Sequence, residues 1–212
     1  MSLPDYGIIL LYTMGDILQN TWVVVPVGSR HKYLDKLTDI LSDYKGRVVF
    51  INNYKPYPIF DGVHHIEDFE EINIHRWWNK GIEFAKSNGA EYVAVINDDV
   101  VFDASLISDM VNAMVKGSYE VSSAMGNLGV FWIIDTSSSI RADETMRWWC
   151  GDGDIFREAK IKGKLLNFKT NKLHHLEHNV QTSSNEMLTK LGEEDLKKYR
   201  AKLERLGQLE HW

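Results

Sequence analysis

The stretch Glu91-Tyr92-Val93-Ala94-Val95-Ile96-Asn97-Asp98-Asp99-Val100 is the most informative part of the sequence for the fold class. Its almost unbroken apolar run predicts a strand buried on both faces, as in a parallel sheet. The run ends in two adjacent carboxylates, at the edge where open α/β sheets bind ligands. Adjacent like charges repel unless a cation lies between them, which favours a divalent metal site. The alternative is a turn or helix cap that uses Asp, and this stretch alone does not separate the two.

Strands and amphipathic helices alternate around this stretch. Residues 22–27 predict a first buried strand, and residues 32–44 predict a helix with one apolar face. The other predicted elements are strands at 47–51, 62–66, 130–134 and 165–168, and helices at 74–87, at 104–116 and through Ala159. This alternation predicts an α/β fold with a mainly parallel sheet flanked by helices.

Size and composition are those of an ordinary globular protein. With 212 residues and a net charge of -6, the chain is expected to form one domain, and its charge disfavours nucleic-acid binding as the main role. A single cysteine, Cys150, excludes an internal disulfide and suits a reducing compartment. The apolar patch at 8–12 is much shorter than a membrane span. We therefore expect a cytoplasmic protein with no membrane association.

The last segment, residues 186–212, predicts a charged helix appended to a domain at 1–185. Its apolar positions recur at helical spacing and form one seam. A seam of this kind either packs on the body of the same chain or pairs with a second copy in a homo-oligomer. The seam consists of Leu188, Leu191, Leu196, Tyr199, Leu203 and Leu206.

Five motifs follow one another between residues 21 and 183. They are Val23-Val24-Val25-Pro26-Val27-Gly28-Ser29-Arg30, Phe50-Ile51-Asn52-Asn53, Asn79-Lys80-Gly81-Ile82, Ile96-Asn97-Asp98-Asp99-Val100 and Gly151-Asp152-Gly153-Asp154-Ile155. In order and spacing this set resembles the GT-A nucleotide-sugar glycosyltransferases, most closely the inverting family-two members. The resemblance implies a GT-A (Rossmann-like) domain that transfers a sugar from a nucleotide-diphosphate sugar to an acceptor hydroxyl.

The resemblance also implies a nucleotide-sugar site. Many family members have an Asp after the second strand, where this chain has Asn52 and Asn53, so an amide oxygen would contact the base. That difference leaves the base open, with a UDP-sugar as the default donor. Arg30 either contacts phosphate or pairs with a helix carboxylate. The implied residues are Pro26, Val27, Gly28, Arg30, Asn52, Asn53, Asn79, Asn97 and Asp98.

By the same resemblance Asp99 would bind the metal, assisted by a late histidine, His178 first and His175 second. An imidazole ligand favours Mn²⁺ over Mg²⁺. A surface histidine cluster without metal is the alternative.

The late acidic motif would supply the catalytic base. Asp152 is implied as the general base, and its two flanking glycines are expected to provide a tight backbone that brings it into the cleft. Trp148, Trp149 and Asp154 are implied to bind the acceptor, which could be a glycan, a protein or modified nucleic acid.

Two other functions stay open. A non-catalytic sugar-nucleotide or glycan-binding protein could use the same fold, since Asn97 and Asn52 stand where acids are common. A nucleotidyltransferase is less favoured, because Gly28-Ser29-Arg30 is too short for a loop that holds a triphosphate.

Overall fold

The computed structural model describes residues 20–28, 33–124, 126, 129–176 and 185–209. It confirms the predicted α/β architecture with a C-terminal helix. The strands are β1 (Thr21–Val27), β2 (Val48–Asn52), β3 (Val63–Glu67), β4 (Tyr92–Ile96), β5 (Val100–Phe102), β6 (Val121–Ser123), β7 (Phe131–Asp135), β8 (Leu165–Asn167) and β9 (Leu173–His175). The helices are α1 (Leu34–Ile40), α2 (Ile74–Ser87), α3 (Ser105–Gly117), α4 (Gly151–Ile161) and α5 (Glu186–Arg205), with a 3₁₀ turn at Ser42–Tyr44.

Seven strands form one sheet in the order β3-β2-β1-β4-β7-β6-β8, and β5 pairs with β9 in a separate ribbon. Strands β1 to β4 are parallel neighbours, whereas β7 runs antiparallel to β4 and β6. The register places Ile96 opposite Phe131. The start of β7 therefore lies at the same edge of the sheet as the end of β4, and both can contribute to a site there.

Helices cover both faces of this sheet, so its inner strands are buried on both sides, whereas the edge strands β3 and β8 are only partly buried. Alternate residues of β1 point to opposite faces, with Val23 and Val25 in one core cluster and Val24 in the other. The first cluster contains the apolar faces of α1 and α3, and the second contains those of α2 and α4. This burial explains why the predicted strand ending in Asn97 reads as a continuous apolar run.

Helix α2 matches its predicted limits at both ends because it carries clear end signals. Asn73 caps the start, where its Oδ1 accepts a hydrogen bond from the Arg76 amide at 3.0 Å, and Asn88-Gly89 follows the end. Other boundaries differ from the prediction. Helix α1 is shorter than the predicted helix at 32–44, and α4 begins at Gly151, the first residue of the late acidic motif. Strands β5, β6 and β9 were not predicted as separate strands.

Helix α5 packs against the body of its own chain. The seam residues Leu188, Tyr199 and Leu203 are buried, and the last two join Met146 in a small apolar cluster. Leu206 stays largely exposed. The seam thus has a partner within the chain, and its pairing with a second copy remains a prediction.

None of the helices in the described ranges is long and apolar enough to cross a bilayer.

Candidate functional site

The acidic motif after β4 lies beside the loop that follows β1. Asp98 is buried, and its Oδ2 accepts a hydrogen bond from the amide of Gly28 at 3.1 Å. Pro26 and Val27 have buried side chains within the sheet, so a ligand at this edge could reach them only through their backbone. The contact joins two of the predicted nucleotide-binding segments. Arg30 lies outside the described residues.

Asp99 and His175 are brought together by the β5–β9 ribbon. Nε2 of His175 lies 3.1 Å from Oδ1 and 3.2 Å from Oδ2 of Asp99. Asp99 is buried and His175 is mostly buried. The pair offers one carboxylate and one imidazole, a donor set that suits Mn²⁺. Within the described ranges no cluster of three or more His, Cys, Asp or Glu side chains is placed to hold a metal ion. His178, the first choice for a histidine ligand, lies outside those ranges.

The asparagines at the end of β2 make internal contacts. Nδ2 of buried Asn52 lies 3.2 Å from Nδ1 of His65 and 3.3 Å from the Phe50 carbonyl, to which it donates. Nδ2 of Asn53 donates to the Asp68 carbonyl at 2.9 Å. With both amide nitrogens used in this way, the Oδ1 atoms are the groups that could accept from a base.

Asp68, beside Asn53, was missed by the sequence analysis. Its carboxylate is buried and binds Arg76 Nη2 at 2.7 Å and Lys80 Nζ at 2.6 Å. Burial acts to raise the pKa of Asp68, but the two cations outweigh it and lower that pKa. The spacing of Arg76 and Lys80, four residues apart on one helix face, was the available signal. The cluster anchors α2 to the end of β3.

Asn79 holds the segment that leads to the late acidic motif. Its Oδ1 accepts from the Ala142 amide at 3.1 Å, and its Nδ2 donates to the Ala142 carbonyl at 2.9 Å and to Glu144 Oε1 at 2.8 Å. These bonds occupy the amide group on both sides. The structure therefore places Asn79 as a support for residues 142–144, while its predicted contact with the nucleotide sugar stays a prediction.

Asp152 lies in the first turn of α4 and is connected to the acidic motif after β4. Its Oδ2 accepts from the Gly129 amide and its Oδ1 from the Gly153 amide, both at 2.8 Å. The carbonyl oxygen of Val130, the residue after Gly129, accepts a hydrogen bond from the amide of Asn97 at 2.9 Å. Gly129 and Val130 thus bridge the two acidic motifs at one edge of the sheet. Burial raises the pKa of Asp152, although its backbone hydrogen bonds act in the opposite direction.

The backbone before Asp152 differs from the expected one. Cys150 has the left-handed conformation, with φ of 70°, which is strained for a residue with a side chain. Gly151 instead allows a close approach, since a Cβ there would lie 2.1 Å from Nε2 of His75. The positive φ thus falls at Cys150, whereas both flanking glycines lie in the first turn of α4, and their expected role in bringing Asp152 into the cleft stays a prediction. Burial raises the pKa of the Cys150 thiol to about 12, so this cysteine is a poor nucleophile.

His75 was also missed, because one histidine on the apolar face of a helix gives no sequence signal. It is buried, and its Nδ1 lies 2.7 Å from the Met146 carbonyl, so Nδ1 carries the hydrogen. Burial lowers the pKa of His75, which keeps the ring neutral. Its buried Nε2 has no hydrogen-bond partner among the described residues. His75 thus supports the segment from Met146 to Gly151 from the side of α2.

The predicted acceptor residues differ in exposure. Trp149 exposes 36% of its surface and Trp148 is half-buried. Asp154 is buried, where Arg157 Nη2 binds its Oδ1 at 2.8 Å and Lys202 Nζ binds its Oδ2 at 2.7 Å. Both carboxylate oxygens of Asp154 are thus engaged within the protein. Trp149 offers the more accessible surface for an acceptor.

Solved structures confirm the predicted GT-A glycosyltransferase fold. The chain is similar to glucosyl-3-phosphoglycerate synthase from Mycobacterium tuberculosis, solved with Mn²⁺, UDP and glucosyl-3-phosphoglycerate (TM-score 0.62, 9% identity, 95% of this chain and 85% of that one). It is similar to the mannosyltransferase PcManGT from Pyrobaculum calidifontis, solved with GDP-Man and Mn²⁺ (0.56, 11%, 71% and 54%). It is also similar to residues 1–349 of S. aureus TarS (0.55, 12%, 70% and 58%).

The matched region covers little more than half of the TarS 1–349 and PcManGT chains. A scan of protein-family models and a search of curated proteins gave no match. At these identities the likeness establishes the fold, and the activity has to be argued from the residues of the site.

Proposed function

We propose that the protein is a metal-dependent inverting glycosyltransferase that transfers a sugar from a nucleotide-diphosphate sugar, by default a UDP-sugar, to an acceptor hydroxyl. The proposal rests on two backbone contacts at the sheet edge. The Gly129 amide donates to Asp152, and the carbonyl of the next residue, Val130, accepts from the amide of Asn97, two residues before Asp99. A candidate base and a candidate metal ligand therefore share one edge of a GT-A fold.

The metal-binding part of the proposal rests on Asp99 and His175. Their adjacent oxygen and nitrogen donors fit Mn²⁺, and Mg²⁺ less well, with His178 as a further predicted ligand. A bound cation would supply Lewis-acid stabilisation of the negative charge on the leaving diphosphate. The contact between Asp99 and His175 keeps both donors in place before a ligand arrives.

Asp152 is proposed as the general base. Its raised pKa brings the carboxylate closer to the working pH, where a base accepts a proton most effectively. The Gly129 and Gly153 amides fix both oxygens, and each oxygen keeps a lone pair for the acceptor hydroxyl. As that hydroxyl loses its proton to Asp152, its oxygen would attack the anomeric carbon from the face opposite the diphosphate. Attack from that face inverts the configuration.

The donor and acceptor would contact different segments of the edge. Asp98 with Gly28, and the Oδ1 atoms of Asn52 and Asn53, are proposed for the nucleotide. The exposed surface of Trp149 is proposed to stack on the apolar face of the acceptor. Whether that acceptor is a glycan, a protein or modified nucleic acid stays a prediction.

The first test is a thermal-shift screen of UDP, GDP, CDP and TDP, each with and without Mn²⁺. We expect one nucleotide to stabilise the protein, and only when the metal is present. Nucleotide release from the corresponding sugar donors then measures turnover. Binding without release from any donor would favour the non-catalytic binding protein. No stabilisation by any nucleotide would overturn the proposed function.

A further inference from the structure

Asp195 on α5 is a buried carboxylate with an unusual set of partners. Its side chain has no exposed surface. Its Oδ2 alone accepts hydrogen bonds from three consecutive backbone amides, those of Arg147 at 2.8 Å, Trp148 at 2.6 Å and Trp149 at 3.0 Å. The other oxygen, Oδ1, makes no hydrogen bond within the described ranges and lies 3.7 Å from Lys198 Nζ.

A buried carboxylate is costly unless hydrogen bonds compensate for its lost hydration. Three consecutive N–H groups that converge on one point form an anion-binding concavity, and bonds to an ionised acceptor are stronger than neutral ones. Here the anion is a side chain of the same protein. The backbone at residues 147–149, which we call the tryptophan loop, is therefore shaped around the carboxylate of Asp195.

The same turn of α5 makes two further contacts with the tryptophan loop. Gly192 lies against the indole ring of Trp149, since a Cβ at Gly192 would lie 2.3–2.6 Å from Cδ2, Cε3 and Cε2. Near-equal distances to these three adjacent ring atoms place Gly192 over the face of the ring. Arg147 Nη2 binds Glu194 Oε2 at 3.0 Å. Asp195 thus fixes the backbone of Trp149, and Gly192 packs against one face of its indole ring.

We propose that Asp195 is a positioning residue of the transfer reaction, which sets the placement of Trp149 and Asp152 by fixing the tryptophan loop. The inference rests on the proposed function, since it assigns Trp149 to the acceptor and Asp152 to the proton. Asp152 follows Trp149 by three positions, through the strained Cys150 and the first residue of α4. A shift of the loop therefore moves the start of α4. Helix α5 is in this view part of the active site.

The test compares Asp195→Ala, Asp195→Asn and the control Glu193→Gln, an exposed acid on the same helix. Alanine removes the acceptor of all three amides, whereas asparagine keeps one oxygen in its place. The first readout is amide hydrogen exchange of residues 147–149 without ligand. The second is nucleotide release from UDP-glucose with Mn²⁺, with water as acceptor, resolved into kcat, KM and the pH profile. The third is stabilisation by UDP with Mn²⁺.

In Asp195→Ala we expect the amide hydrogens of residues 147–149 to exchange at least tenfold faster than in wild type. We expect the kcat of this variant to fall about 10- to 100-fold. Its KM for UDP-glucose and its stabilisation by UDP should stay within about twofold of wild type, because the nucleotide segments are elsewhere. The acid limb of its pH profile should move, because Asp152 changes its surroundings. Asp195→Asn should recover most of kcat, and Glu193→Gln should equal wild type.

If Asp195→Ala keeps the wild-type kcat and pH profile at a temperature where it is folded, the inference is wrong. The proposed function would be unaffected by that result. Unchanged exchange of residues 147–149 in Asp195→Ala would also overturn the inference. If alanine prevents folding, a kcat for Asp195→Asn as low as that of Asp152→Asn would contradict positioning through the oxygen acceptor. A wild-type protein that is stabilised by none of UDP, GDP, CDP and TDP with Mn²⁺ would instead count against the proposed function.

Discussion

Nε2 of His175 lies 3.1 Å from Oδ1 of Asp99, although the two residues are 76 positions apart in the chain. Backbone pairing holds them together, since β5 and β9 place Val100 opposite His175 and the Leu176 amide donates to the Asp99 carbonyl at 2.9 Å. The pair therefore depends on a ribbon outside the main sheet. A ligand that needs a carboxylate and an imidazole side by side would find them in place.

The first prediction concerns this pair. UDP with Mn²⁺ at about 100 times its Kd should stabilise the wild-type protein by about 2.7 kcal/mol. For a chain of this size that corresponds to a rise in Tm of roughly 5–10 °C. Asp99→Asn and His175→Gln should each lose most of that rise, because each removes a metal donor. His174→Gln is the matched control, since His174 is exposed on the same strand. An undiminished rise in both variants would remove the pair from the metal site.

The second prediction concerns the proposed base. Asp152→Asn should lower nucleotide release by about 10²- to 10⁴-fold while UDP binding with Mn²⁺ is retained. In the wild type, kcat/KM should fall as the pH decreases through the pKa of Asp152, since the protonated acid cannot accept a proton. Burial raises that pKa, so the fall should come at a higher pH than for an ordinary Asp. Glu158→Gln, on the same helix, should behave as wild type. Retained turnover in Asp152→Asn would exclude it as the base.

The third prediction separates the two glycines that flank Asp152. Gly151→Ala would place a Cβ 2.1 Å from Nε2 of buried His75, so the ring or the start of α4 must move. We expect a loss of about 1–3 kcal/mol in the free energy of unfolding. Gly153→Ala meets no atom closer than 4.0 Å and should be neutral or up to about 1 kcal/mol more stable. Urea unfolding of both variants measures the difference, and equal stabilities would contradict the contact with His75.

The fourth prediction uses Asp143, which binds Lys202 Nζ of α5 at 2.8 Å. Burial acts to raise the pKa of Asp143, but the bonds from Lys202 and Thr145 outweigh it and lower the pKa from 3.8 to about 2. The stabilisation that ionised Asp143 contributes to the folded state is therefore present above pH 4 and is lost as the pH falls through about 2. Because the side chain is a quarter exposed, we discount the shift to about 1 kcal/mol.

Asp143→Asn should thus be less stable than wild type at pH 7, and the two should converge as the pH falls toward 2. Denaturant unfolding between pH 7 and 2 measures this, with Glu193→Gln as the control. A stability difference that does not change with pH would show that the ion pair with Lys202 is not its source.

Much of the fold could be predicted because its main elements are long and periodic. Residues 92–96 form a continuous apolar strand, and α2 carries both its start and end signals within the chain. Strands β6 and β9 have only three residues each, too few for a period to be visible. The antiparallel direction of β7 could not be predicted either, because strand direction follows from chain connections and not from side-chain patterns.

For the site, local sequence was less informative. Asp99 was predicted from its position after a buried strand, and the family resemblance named His175 as the second candidate for its histidine partner. The pairing of β5 with β9, which places His175 beside Asp99, could not be predicted. Asp195 gave no signal, since an acid in a charged helix normally faces solvent. His75, on the apolar face of α2, gave no sequence signal either. Each of these residues depends on contacts between segments far apart in the chain.

The position of Asp195 also bears on how the protein is made. Synthesis proceeds from the N-terminus, so the amides of residues 147–149 emerge 46 to 48 residues before the carboxylate that receives them. Until α5 has been translated and has docked, the nascent chain holds the strand end with Asp99 but lacks the acceptor for these amides. On the proposed function, competence for sugar transfer would then arise only after α5 has docked on the tryptophan loop.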